Sequence, residues 1–293
     1  MRVLVTGSAG RVGRAIYIKL MITHDVVGID KTPCSTADFV GDIRDTSLIT
    51  QALEGVDVIV HTAALHAPHV GLLSDEEFHS INVDATEQLA LQGIKSGIKH
   101  FVFTSTTALY GYASTPKGVA GWVNEQIKPQ PKSIYHRSKI LSECKLQEIS
   151  NLFNLPVTVL QMSRCFPEPA DVMAVYRLTR GIDARDVAEA HLCAVEKRLN
   201  GFNRFILSGA TPFSRSDCES LYSAADAAIK KKCPNIALAF EQRGWPLPTR
   251  LDRVYDSSAA QEKLGWFPKY GFESVLDMLD SDVPEVFPTL KRS

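Results

Sequence analysis

Two groups of side chains in this chain have types and spacing suited to chemistry. Tyr135 and Lys139 lie four residues apart in a stretch of helical periodicity, so one turn of helix puts a phenol and an ammonium on the same face. A nearby ammonium lowers a phenol's pKa, which lets it exchange a proton with a substrate hydroxyl. The pair therefore predicts a Tyr135 pKa moved down toward working pH. Upstream, Ser105, Thr106 and Thr107 follow an apolar run ending at Thr104. Ligands of open parallel sheets bind at the carboxyl ends of strands, where these hydroxyls are placed to polarise a substrate hydroxyl or carbonyl.

A second constellation points to a dinucleotide. Gly7, Gly10 and Gly13 recur every third residue between an apolar run and a helical pattern. A glycine turn there lets backbone N–H groups approach a pyrophosphate, and the helix start at Arg11 and Val12 adds a favourable field. Asp30 stands 20 residues after Gly10. A carboxylate at that position accepts hydrogen bonds from ribose hydroxyls and repels a 2′-phosphate, which favours NAD. Lys31 beside it leaves NADP open. Asp42 and Ile43 fall where a third strand should end, suiting contacts to the adenine.

These residues need elements to hold them. Short apolar runs at 3–6, 25–29, 56–61, 100–104 and 157–161 read as buried strands, and helical patterns cover 11–23, 47–53, 76–96 and 135–154. The alternation predicts an α/β protein: a doubly wound parallel Rossmann sheet with right-handed crossovers. After Arg164 the pattern changes. Pro167 and Pro169 break the chain, and helices are expected over 187–196, 216–232, 256–264 and 272–279, with a strand at 204–208. The expected organisation is a dinucleotide-binding domain over 1–164 and a small C-terminal substrate-binding lobe over 165–293, interleaved with final Rossmann elements near 182–210.

Composition excludes other classes. With 32 basic and 33 acidic residues the formal net charge is −1, which gives no basic face for nucleic acid. No apolar stretch reaches the length of a bilayer span, and the chain enters a strand directly with no apolar leader. Six scattered cysteines without a Cys-x-x-Cys pair read as reduced thiols of a cytoplasmic protein. His66 and His69 lack an acidic or cysteine partner at ligand spacing, so no metal is expected.

Taken together, these motifs resemble the extended short-chain dehydrogenase/reductase family, also called the NAD-dependent epimerase/dehydratase family. The resemblance is carried by Thr6 to Gly13, Asp42, His61 to Ala64, Asn82 and Val83, Thr104 to Gly111, Tyr135 with Ser138 and Lys139, Asp183 with Asp186, and Leu264 to Pro268, in family order along the chain. It implies that Tyr135 is the catalytic acid/base, Lys139 its electrostatic partner and Thr106 the substrate-polarising hydroxyl. It places Ala63, Ala64 and Thr104 beside the cofactor and gives Asn82 a supporting role. His136 and Thr106 depart from the glycine and serine commoner in the family. The two long helices allow a homodimer of the kind common there.

The family includes epimerases, dehydratases, reductases and dehydrogenases. Here only 18 residues separate Arg164 from Asp183, little to wrap a nucleoside diphosphate. Cys165, Pro167, Glu168 and Pro169, with an arginine soon after, resemble uronate dehydrogenases, which oxidise the anomeric hydroxyl of a free hexuronic acid. That likeness implies substrate contacts from Ser163 and Arg177, with Arg177 or Arg180 gripping a carboxylate unless both are surface charges. His66 lies either in a substrate-contacting loop or in a solvated one. The leading reading is hydride transfer between a sugar or sugar acid and NAD. The alternatives are a nucleotide-sugar epimerase or dehydratase, and a non-catalytic dinucleotide sensor.

Overall fold

The computed structural model describes residues 1–289; the last four positions of the expected C-terminal lobe lie outside the described residues. Its centre is a sheet of seven parallel strands in the order β3-β2-β1-β4-β5-β7-β8. These are β1 (Arg2–Thr6), β2 (Asp25–Asp30), β3 (Phe39–Val40), β4 (Val58–His61), β5 (His100–Thr106), β7 (Val157–Met162) and β8 (Phe202–Leu207). The order reverses between β1 and β4, and that switch point opens a crevice at the carboxyl ends of the strands.

Helices cover both faces, as expected of a doubly wound Rossmann sheet. On one side α1 (Arg11–Leu20) and α7 (Ala184–Lys197) pack Ile16, Leu20, Val187 and Ala194 onto Val3, Val5 and Val60. On the other, α2 (Thr46–Ala52), α4 (Ala85–Lys95) and α5 (Ile134–Phe153) bring Ile49, Leu89, Leu146 and Ile149 against Leu4, Ile29, Ile59 and Phe101. Both faces of β1, β4 and β5 are therefore dry, which is why those strands read as unbroken apolar runs.

The expected single helix over 76–96 is broken. A turn and a half of α3 (Asp75–His79) passes through a π-helical segment, Ser80–Asp84, into α4. Here Ala85 N–H reaches back to Ser80 O, and the Asn82 carbonyl accepts from Thr86 Oγ1 (2.6 Å) and from Ser142 Oγ of α5 (2.7 Å). The widened turn brings the Asn82 side chain to Leu65, whose N–H donates to Oδ1 (2.7 Å), while Nδ2 donates to Leu65 O and Ser138 Oγ (both 2.9 Å).

A second core gathers α6 (Ala170–Arg177), α8 (Cys218–Ser223), α9 (Ala225–Lys232), α10 (Pro234–Gln242) and α12 (Phe272–Asp280). The expected helix over 216–232 is interrupted at Ala224, whose backbone leaves the helical region (φ −155, ψ 58). Two three-residue strands, β6 (Gly121–Val123) and β9 (Arg253–Tyr255), pair in parallel and join this core to the main sheet. The short α11 (Ser258–Leu264) ends at Gly265 in the left-handed conformation, and Trp266 is buried behind it, donating from Nε1 to Asp186 O (2.9 Å). Among the described residues no helix is long and apolar enough to cross a membrane.

Candidate active site

The crevice at the switch point is a cleft of about 940 Å³ running from Asp30 to Tyr255. At its near end β1 turns into α1 through the glycines, which have different jobs. Gly7 has φ +71, and a Cβ there would lie 2.7 Å from Ala63 N. A Cβ on Gly13 would lie 2.0 Å from Gly7 O, so turn and helix touch directly. Gly10 has only Gly7 O within 3.3 Å of such a Cβ; its bare edge lines the cleft at the start of α1, where no side chain caps the helix. The first N–H groups of α1, including those of Arg11 and Val12, have no intrahelical acceptor and border the same space. This cradle fits a pyrophosphate.

Further along, Asp30 Oδ2 accepts from Ala9 N–H (3.0 Å) and Oδ1 from Thr32 N–H (2.8 Å). Each oxygen keeps a free lone pair toward the cleft, which suits two ribose hydroxyls. Asp42 also lines the cleft beside Ile43, but Arg44 grips its carboxylate through Nη2 (2.6 Å) and Nε (2.9 Å) and holds its pKa below the usual value. Backbone and Ile43 are left to meet an adenine. Ala63, Ala64 and Thr104 form the floor.

The chemistry-bearing residues meet at the middle. Tyr135 stands in the first turn of α5, behind the Ser133 cap that accepts from His136 N–H (3.4 Å). The Thr106 hydroxyl hydrogen-bonds the phenol, and Thr107 lines the wall beside it. Lys139 is buried; Nζ donates to Thr104 O (3.0 Å) and sits 4.5 Å from the Phe103 ring centre. One helical turn on, buried Glu143 accepts from Ser105 Oγ (2.5 Å), Gln161 Nε2 (2.9 Å) and Arg204 Nε (2.7 Å).

Electrostatics reverse one expectation. Burial pushes the Tyr135 phenol up to about 12, with the Thr106 hydrogen bond opposing, so it is not lowered by Lys139. Lys139 itself is drawn down to about 8 by desolvation, with the Glu143 carboxylate opposing. The dry pocket outweighs the Thr106 hydrogen bond at Tyr135 and the Glu143 charge at Lys139.

The far end gathers the residues that the sequence led one to expect around a substrate. Ser163 Oγ is buried and has no hydrogen-bond partner among the described residues, although Ser163 borders the cleft. His66 faces it, its ring stacked on Phe166 (centroids 5.8 Å, 20°), and burial lowers its pKa. Arg177 does not reach the cleft. It is 2% exposed and pairs through Nη2 with Asp183 Oδ2 (3.0 Å) beneath α6, so the expected substrate contact is corrected. Arg180 takes the cleft-facing place instead, 4.4 Å over the Tyr176 ring and 3.1 Å from Asp252. Arg164 and Arg253 line the same end, paired with Glu168 and Asp252 respectively, neither of which borders the cleft. Sequence reasoning missed Arg253 and Tyr255 because they ride on a three-residue strand. It missed Phe166 because a lone aromatic beside prolines carries no signal.

A parallel switch-point cleft with a glycine cradle at one end and a Tyr-x-x-x-Lys turn in the middle defines a Rossmann protein of the extended short-chain dehydrogenase/reductase kind. Residues 3–170, more than half of the chain, match the model of the NAD dependent epimerase/dehydratase family, and the chain belongs to that family. Among curated relatives, an uncharacterized UDP-glucose epimerase of Bacillus subtilis is 30% identical over 61% of this chain and 62% of its own. An L-arabinose 1-dehydrogenase (NAD(P)(+)) of Haloferax volcanii is 31% identical over 48% of this chain and 58% of its own. The chain thus spans about three-fifths of the length of these relatives. In fold it is similar to a short-chain dehydrogenase/reductase superfamily protein of Agrobacterium tumefaciens with bound NAD (TM-score 0.69, 19% identity, 96% of each chain). It is likewise similar to a UDP-glucose 4-epimerase of Thermotoga maritima (TM-score 0.70, 20% identity, 97% of this chain and 100% of that one).

Proposed function

We propose that this protein is an NAD-dependent dehydrogenase of a small sugar or sugar acid. One observation carries the reading: three arginines and the unpartnered Ser163 hydroxyl line the cleft beyond Tyr135, while the carboxylates that pair those arginines stay behind it. That end favours an anionic, hydroxyl-rich ligand.

In this reading Gly7, Gly10, Gly13 and the α1 amides of Arg11 and Val12 hold the pyrophosphate, Asp30 the adenosine ribose, and Ile43 the adenine. Ala63, Ala64 and Thr104 bear on the ring end, and Lys139 holds the second ribose. A bound oxidised nicotinamide would supply the hydride acceptor, and its positive charge would favour phenolate at Tyr135. Thr106 Oγ orients the substrate hydroxyl, Tyr135 removes its proton, and Lys139 stabilises the phenolate. Ser163, Thr107 and His66 fix the sugar ring, and Arg180 takes the role first expected of Arg177. The lobe formed from residue 165 onward, outside the returning stretch 182–210, serves as the substrate-binding domain. Six free cysteines fit a reducing cytoplasm. Exposed Leu141, Leu152 and Phe153 on α5 fit a homodimer through that helix and α4.

A panel of aldoses, hexuronic acids and nucleotide sugars with NAD or NADP tests the reading through absorbance of the reduced cofactor. Net NADH from a sugar acid or aldose is expected. Isomerised nucleotide sugar without net NADH would establish the epimerase reading in its place. Tyr135→Phe should lower turnover by about 10²–10⁴ with NAD affinity held within about twofold.

A further inference from the structure

At the dinucleotide end, a residue of the cleft lining, Arg11, is tied to a carboxylate that does not itself border the cleft. Arg11 is the first residue of α1 and lines the cleft beside Gly10. Its Nη2 donates to Glu285 Oε2 (2.9 Å), its Nε is buried, and the guanidinium lies against the Cys165 thiol. Glu285 comes from the far end of the chain. The residues after it are anchored: Val286 is buried in the second core, and Phe287 exchanges backbone hydrogen bonds with the segment that leads into α6. Phe287 N–H donates to Glu168 O (3.0 Å), and Ala170 N–H donates to Phe287 O (2.9 Å). One strap thus joins the helix that starts at the glycine cradle to the segment carrying Ser163, Arg164 and Phe166.

A helix start and a guanidinium both favour an anion. The Glu285 carboxylate supplies one now. A pyrophosphate brought to the cradle would compete with that carboxylate for the same Arg11 donor. We propose that Glu285 is an internal competitor of the dinucleotide: Arg11 turns from Glu285 to the pyrophosphate on binding, and the strap at Glu285–Phe287 loosens as it does so. The proposal rests on the assignment of Gly7–Gly13 as the pyrophosphate cradle, and it needs no knowledge of the substrate.

The experiment is NAD titration by calorimetry on the full chain, with hydrogen exchange of the strap as a second readout. Glu285→Gln keeps the shape of the side chain and removes its charge. NAD should bind the Glu285→Gln protein about three- to fivefold more tightly, the range of one partly exposed ion pair. In an Arg11→Met background the same change should give no gain. In the wild type, NAD should speed exchange at the Phe287 and Ala170 amides. Equal or weaker NAD binding by Glu285→Gln overturns the proposal, as does strap exchange indifferent to NAD. A wild-type protein that binds neither NAD nor NADP overturns the cradle assignment itself, a result distinct from NAD bound equally well by both proteins.

Discussion

Replacing Lys139 by methionine should make the protein more stable and, on the proposed reading, catalytically inert. Lys139 is 4% exposed, and burial draws its pKa from 10.5 to about 8. At about 1.36 kcal/mol per pH unit, holding that ammonium charged at neutral pH costs the fold about 3 kcal/mol. Against this stand the Nζ bond to Thr104 O, worth about 1 kcal/mol, and the contact with the Phe103 face, worth about 0.5–1 kcal/mol. Methionine keeps the unbranched apolar stem and loses the charge. The net gain is about 1 kcal/mol, or about 2–4 °C in Tm for a chain of this size.

The pH dependence makes the argument refutable. Above 10.5 the amine is neutral folded and unfolded, and no penalty exists. As pH falls from 10.5 to about 8 the unfolded chain takes up the proton first, so the penalty grows; below about 8 it is complete. Urea unfolding of wild type and Lys139→Met from pH 7 to 10.5 should show the variant's advantage full at the low end and fading toward the high end. A variant less stable at pH 7, or an advantage that does not shrink with rising pH, would show that Lys139 is paired well enough to stabilise the fold and that desolvation is not the dominant effect.

Three other substitutions separate the parts of the cleft. Gly13→Ala drives a methyl to 2.0 Å from Gly7 O; it should abolish NAD binding and lower stability by about 2 kcal/mol or more, read by titration and thermal unfolding. Asp30→Asn keeps the acceptors for Ala9 and Thr32 on one oxygen at most and removes the charge that repels a 2′-phosphate; the ratio of NADP to NAD affinity should rise about tenfold. Arg180→Met should raise KM for a sugar acid by about tenfold or more while leaving KM for a neutral aldose and the affinity for NAD nearly unchanged, as steady-state kinetics and titration will show.

Where local pattern decides structure, the sequence was readable. β1, β4 and β5 are apolar because both faces are covered, and the cradle glycines are dictated by contacts within a single turn. The pattern failed where a distant group decides. Apolar spacing runs unbroken through 76–96, yet the helix widens at Ser80–Asp84, where Asn82 is tied to Leu65, Ser138 and Ser142 of distant segments. Pro169 reads as a breaker, but it caps α6, where a missing N–H costs nothing. The lowered Tyr135 pKa followed from the presence of Lys139 four residues on; depth of burial, which spacing does not encode, reversed it.

The same reasoning decides between the two arginines proposed to meet a substrate. Tyr176 and Arg180 are four residues apart and share the cleft-facing side, with the guanidinium stacked over the phenol. Arg177 is one position further round the helix, about 100° away. That rotation turns it to Asp183, the cap of α7, where it is spent on holding the fold. Arg180 is held differently. Only Nη1 is tied to Asp252, at 3.1 and 3.4 Å. A guanidinium has five N–H donors in a planar fork, so the remaining edge is free to meet a carboxylate with two parallel hydrogen bonds. Asp252 holds the fork in place without neutralising the cleft end, because Arg253 already offsets its charge through Nη2 at 2.8 Å and Nε at 3.0 Å. An arginine held rigid by a shared carboxylate recognises a sugar acid better than a freely moving one, since less side-chain entropy remains to be lost on binding.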